Sequence, residues 1–164
     1  SDAGAWAAGP RNMVDLLEMV KKHYYDPFMR GSNSIKQVLP AVLRSSQYLK
    51  EKYSNPIYGS TNGIPSKNFS EMVWFQEQGG EVVDPYKLLP TMFDGFSEKD
   101  RGILLSADGS IDNGGAAMTA FARMQYSQMS DMERSEIKAL LLKYCELDTL
   151  AMAMIYEAWR DWLY

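Results

Sequence analysis

Apolar residues return every three to four positions across the end of the chain, at Ile137, Leu140, Leu141, Tyr144, Leu147, Ala151, Met154, Ile155 and Ala158. That period is helical, and the stripe is wide enough to predict a largely buried helix over about 131–163. Ser130 and Glu133 have the spacing of a capping box at its start. Asp131 and Glu133 add negative charge where the helix dipole favours it. Within the stripe stands one acid, Asp148, and burying a carboxylate is costly unless something pairs with it.

Earlier in the chain the elements are shorter. SDAGAWAAGP reads as a flexible lead-in of residues 1–10. Val14, Leu17, Val20 and Tyr24 predict a helix from Arg11 to about Tyr25, which Asp26-Pro27 should stop. A Gly-Ser-Asn-Ser turn follows, and Ser34 can cap the next helix. That helix, IKQVL, is expected to be short because Pro40 lacks an amide and crowds the preceding turn. A further helix is expected from about Ser45 to Tyr53. The loop from Ser54 to Ser70 is rich in turn formers, but its aromatic residues predict that it packs down. MVWFQ and EVV around a Gln-Gly-Gly turn predict a β-hairpin near 72–83. DPYKLLP reads as a helical turn limited by Pro90, Ser97 caps a short helix through Leu105, and Asp112 or Asn113 opens a helix to about Met129. In that last helix Ala116, Ala117, Ala120 and Met124 share a side. The pattern predicts a mainly α fold with one small hairpin: one helical domain or part of a domain over 11–164, with roughly six helices.

The 164 residues suit one domain, and 46% hydrophobic content supplies a core. No apolar run approaches the roughly 18–20 residues needed to span a membrane, so no membrane partner is expected. With a single cysteine and no signal-peptide pattern, the default expectation is cytoplasmic. A net charge of −4 weighs mildly against nucleic-acid binding but leaves room for local sites.

Several residues are candidates for chemistry. Tyr144 and Asp148 lie four apart on one helical face and form either a hydrogen-bonded patch at a core edge or a functional pair. Ser34 and Lys36 at a helix start form either a phosphate contact or a cap beside a solvated lysine. Asp15 reads as an acid of a helix N-terminus or as one facing a site. The glycine pair in NGGAAM reads as a loop and cap or as an approach for phosphate, although no Gly-Lys-Ser/Thr follows. His23 has no ligand partners at metal spacing, and Cys145 is expected to pack in the core. Trp74-Phe75, Trp159 and Trp162 read as core or interface residues, with base stacking as the alternative.

The run LLKYCELDTLAMAMIYEAW resembles the third motif of the DEDD 3′–5′ exonucleases, in the subtype ending Tyr-x-x-x-Asp. RNMVDLLEMV, GSNSIKQVLPAVL, DPYKLLP, NGGAAMTAFARMQ and YCELDTLAMAMIYEAW are similar, in order, to a bacterial family of nuclease-like proteins related to those enzymes. The sister subtype carries histidine five positions before the aspartate, where this chain has Lys143. The resemblance implies a ribonuclease H-like fold and a two-metal phosphodiesterase, with Mg²⁺ or Mn²⁺ as cofactor and nucleic acid as partner. It implies that Asp148 ligates metal, that Tyr144 orients the attacking water, and that Asp15 faces the site.

No strand carrying Asp-x-Glu precedes Arg11, so the expectation is the helical C-terminal portion of such a fold, lacking its central sheet. The chain alone would then hold no catalytic metal and cleave no nucleic acid. Its missing sheet would be an intramolecular partner, and the apolar surface left uncovered would offer a homodimer contact. The alternative is a non-catalytic helical scaffold or interaction module.

Overall fold

A computed structural model of the chain describes residues 9, 13–90 and 114–164. The lead-in apart from Gly9, the helix expected from Ser97 to Leu105 and the loop before Gly114 lie outside the described residues. The helix expected from Arg11 begins only at Leu16, because Met13 and Val14 are not helical and Asp15 caps the helix by accepting from the Leu17 and Glu18 amides. Among the described residues the fold is mainly helical with one small antiparallel hairpin, as the pattern predicts.

The α-helices are α1 (Leu16–His23), α2 (Ile35–Ser45), α3 (Gln47–Tyr53), α4 (Gly114–Tyr126) and α5 (Asp131–Leu163). α5 has 33 residues and, at 1.5 Å per residue, is about 50 Å long. Its capping box forms as expected: the Ser130 hydroxyl accepts from the Glu133 amide, and the Glu133 carboxylate accepts from the Ser130 amide. Packed against α5 are α2, α3 and α4. Ile137, Tyr144, Leu147, Ala151, Met154, Ile155 and Ala158 turn into this core, as their spacing requires. α4 approaches through its small side, where Ala120 is fully buried and Ala117 and Met124 are partly so.

Cys145 departs from expectation, because it faces solvent. At about 100° per residue, the position after Tyr144 is rotated off the buried stripe.

α2 also differs from its expected form. It runs through Pro40 for 11 residues instead of ending before it. Proline removes the amide that would bond the Lys36 carbonyl, a cost of about 3 kcal/mol in a helix interior. Val38, Leu39, Ala41, Val42 and Leu43 are all buried on this helix, and that burial offsets the loss. The break falls at Ser46 instead, whose buried hydroxyl caps α3 by accepting from the Leu49 amide at 3.2 Å.

The hairpin is shorter than MVWFQ implied. β1 (Glu77–Gln78) pairs with β2 (Glu81–Val82) in the register Glu77↔Val82 and Gln78↔Glu81. Gly79 and Gly80 make the turn with φ of 61° and 80°, which glycine adopts without steric cost. The segment before it is drawn away from a ladder by the end of α3, because the amides of Trp74 and Phe75 both donate to the Tyr53 carbonyl. Trp74 is thereby buried completely, edge-on to Phe69 at 5.0 Å and to Tyr58 at 5.9 Å. The loop from Ser54 to Ser70 packs down around this aromatic group, as anticipated. Gly59 lets it do so: at φ 79°, a Cβ there would meet the Phe69 carbonyl oxygen at 2.2 Å.

Trp74→Ala should empty the centre of this cluster and cost about 3–5 kcal/mol, read as a lower urea midpoint. An unchanged midpoint would show that the loop is not anchored there.

Candidate functional site

The site is built from three elements. α5 presents Tyr144 and Asp148 one turn apart, with Tyr144 buried at 6% exposure and Asp148 partly buried. A 3₁₀ turn at Pro85–Leu88 supplies Tyr86. Asp84 caps this turn by accepting from the Tyr86 amide at 3.0 Å, and Pro85 presets its first residue. α2 supplies Lys36 from its first turn.

These residues converge. The Tyr86 hydroxyl donates to Asp148 Oδ1 at 2.5 Å. The Tyr86 and Tyr144 rings lie 5.9 Å apart. Lys36 Nζ sits 4.4 Å from the centroid of the Tyr86 ring and 5.0 Å from that of Tyr144, within cation–π range of both. Burial first, and then the bond to Asp148, hold the Tyr86 hydroxyl well above its ordinary titration range, so it remains a proton donor. Three of the sequence candidates, Lys36, Tyr144 and Asp148, are therefore brought together.

Two are not part of the cluster. Asp15 caps α1, its carboxylate accepting from the amides of Leu17 at 2.9 Å and Glu18 at 3.2 Å, so its visible role is that of a helix N-terminal acid. Ser34 occupies the N-cap position of α2, but its hydroxyl makes no capping bond. Its carbonyl instead accepts from the amides of Gln37 and Val38. Lys36 is neither the solvated lysine nor the exposed phosphate contact that its position implied, because its ammonium is buried between the two rings.

Tyr86 carries the cluster and was not singled out by sequence reasoning. Its signal was local: an Asp-Pro pair capping a turn, the device repeated at Asp26-Pro27, where Asp26 Oδ1 accepts from the Phe28 amide at 2.8 Å. Glu146 was missed as well. It lies two positions from Tyr144 and so looks like an acid of the solvent face. The folded-down loop covers it, and it accepts from Tyr58 Oη at 2.8 Å, Ser66 Oγ at 2.5 Å and Asn68 Nδ2 at 2.5 Å. Burial pushes its carboxyl upward, but the bonds from Ser66, Tyr58 and Asn68 together outweigh burial and leave it below its ordinary value.

A two-metal centre requires several converging carboxylates. Among the described residues no group of three His, Cys, Asp or Glu side chains could hold a metal ion. The hydrogen-bond partner of Asp148 is the Tyr86 phenol, a proton donor and not a further carboxylate. The described residues therefore do not by themselves fit the cofactor that the resemblance implies. No helix among them is long and apolar enough to cross a membrane. Comparison of the chain with protein-family models, curated proteins and solved structures finds no significant match.

Tyr86→Phe should leave the Asp148 carboxylate without its donor and destabilise the fold by about 1–3 kcal/mol in urea unfolding. An unaltered midpoint would mean that solvent satisfies Asp148 equally well. Because the folded-state value of Glu146 lies below its ordinary 4.5, its bonds stabilise the fold above that pH, and the contribution is lost as pH falls through the lower folded value. The stability gap between wild type and Glu146→Gln should therefore be widest near about pH 7 and shrink toward about pH 3. A gap independent of pH would refute the assignment.

Proposed function

We propose that this chain contributes the tyrosine–aspartate motif of a metal-dependent 3′–5′ exonuclease whose other carboxylates lie outside the described residues. The observation that carries the reading is the convergence of Lys36, Tyr86, Tyr144 and Asp148, residues far apart in sequence, at one polar cluster. Lys36, Tyr86 and the Tyr144–Asp148 pair come from three of the runs that resemble the nuclease-like family, SIKQVLP, DPYKLLP and YCELDTLAM. In this reading Asp148 is one metal-binding carboxylate, and Mg²⁺ or Mn²⁺ and nucleic acid are the expected cofactor and partner.

A second reading is supported by the same geometry. Tyr144 is 6% exposed and Asp148 already accepts a hydrogen bond from Tyr86, as befits an internal anchor of a non-catalytic helical module.

The two are separated by assaying the intact natural protein on labelled single-stranded DNA and RNA, with Mg²⁺ or Mn²⁺, beside Asp148→Asn. Asparagine keeps an oxygen for Tyr86 but removes the charge. Loss of at least about a hundredfold in activity, the upper end for residues that merely support a metal ligand, is expected for the nuclease reading. Equal activity in the two proteins would sink the site assignment and leave the helical module.

A further inference from the structure

A cleft of about 620 Å³ opens between α2 and the hairpin with its following turn. Its lining is not typical of the chain. The whole sequence has 17 basic and 21 acidic residues, yet the cleft is lined by Arg30, Arg44, Lys87 and the stem of Lys36, whose ammonium is turned in between Tyr86 and Tyr144, against only Glu81 and Asp84. Both acids are already engaged. Glu81 Oε2 accepts from Arg44 Nη1 at 2.7 Å, and Asp84 Oδ1 caps the turn below Tyr86. Arg30 and Lys87 stand exposed at the lining, Arg30 in a left-handed backbone conformation with φ 52°. With Arg44 paired to Glu81 and the Lys36 ammonium buried, Arg30 and Lys87 are the exposed cations of the lining, and their field attracts an anion to the cleft.

The rest of the lining is mixed: Gln37 and Gln78 are polar, and an apolar wall lies beside them. Pro40 and Ala41 contribute from α2, and Val82 and Val83 from the hairpin side. Phe28 carries the Arg44 guanidinium 3.7 Å from its ring centroid and still leaves 47% of its surface exposed. A cavity of this size, with an apolar wall, two glutamine side chains and exposed basic groups at its lining, suits a ligand with a flat ring, polar ring edges and a charged end. Exposed aromatic and guanidinium planes stack bases, and arginine and lysine bind phosphate oxygens with charge-assisted hydrogen bonds.

We infer that the cleft between α2 and the hairpin binds a phosphorylated ligand with a planar ring, as a free nucleotide or as a nucleotide unit of a strand. Arg30 and Lys87 hold the phosphate, and Phe28 with the adjoining apolar wall holds the ring. The inference rests on cleft residues alone and needs neither Asp148 nor a metal.

The test is calorimetric titration of the protein, in EDTA, with a 5′-mononucleotide, its unphosphorylated nucleoside and a short single-stranded oligonucleotide. The wild type should bind at least one phosphorylated probe, with the nucleoside weaker by about tenfold or more. Arg30→Ala/Lys87→Ala, two exposed positions whose replacement should leave the circular dichroism unchanged, should weaken that probe by about tenfold or more. Phe28→Ala should weaken the mononucleotide and the nucleoside alike. Tighter binding of the oligonucleotide would assign the ligand to a strand, and tighter binding of the mononucleotide to a free nucleotide. No binding of either phosphorylated probe up to about 10 mM, equal binding of the nucleoside, or full binding by a folded double variant would each overturn the inference. Because metal is absent throughout, failure here leaves the Asp148 assay standing, and failure there leaves this result standing.

Discussion

Three buried tyrosines from three different segments donate to three carboxylates on one helix. Tyr58 donates to Glu146, Tyr86 to Asp148 and Tyr53 to Glu157, at 2.8, 2.5 and 3.0 Å. These bonds fasten the loop after α3, the turn after the hairpin and α3 itself to α5. A long helix with a wide apolar stripe can recruit neighbours by burial alone, but burial is not directional. The hydroxyl–carboxylate bonds fix where along α5 each segment sits. Each phenol is held well above its ordinary titration range, first by burial and then by its carboxylate, so each remains a donor. Lys52 reinforces one of them by bonding Glu157 at 2.7 Å across a partly buried pair.

The candidate site follows from this framework. Tyr86 is fastened to Asp148, and its ring is thereby set beside Tyr144 with Lys36 against both. The same turn sets Lys87 at the cleft, and Lys36 lines it from α2. Asp26 does comparable work nearby: it caps the Pro27–Met29 turn and accepts from Ser45 Oγ at 2.8 Å, which ties that turn to the end of α2. Phe28, carried on this turn, is thus delivered to Arg44. Two capped Asp-Pro turns therefore place aromatic residues at or beside a basic concavity, and its chemistry comes from how they dock, not from any single motif.

Much of this was legible in the chain where one physical effect dominated. The capping box at Ser130, the stripe of α5 and the small-residue side of α4 appeared as their spacing required, because cap geometry and helical period act within a few residues. The readings failed where local and tertiary terms opposed each other. Pro40 should end a helix by local rules, but the buried face of α2 outweighs the lost amide bond. MVWFQ has strand propensity, but the Tyr53 carbonyl captures its amides. Cys145 neighbours a core tyrosine in sequence and faces water, because adjacent helical positions point about 100° apart. The Asp148 and Lys36 positions were legible as candidates, whereas Tyr86, Glu146 and the basic cleft depend on which surfaces meet.

By itself, then, the sequence determined the mainly helical character, the long closing helix with its cap, and the anomaly of a carboxylate within an apolar stripe. These depend on period, propensity and capping, which are properties of neighbours along the chain. Tertiary structure alone decided what that carboxylate meets. A hydrogen bond from Tyr86 to Asp148 joins positions 62 residues apart, and the three donors to Glu146 lie 78 to 88 residues from it. No short-range signal encodes such pairings, because a phenol and a carboxylate far apart in sequence find each other only when packing of the surrounding apolar surfaces brings their segments together.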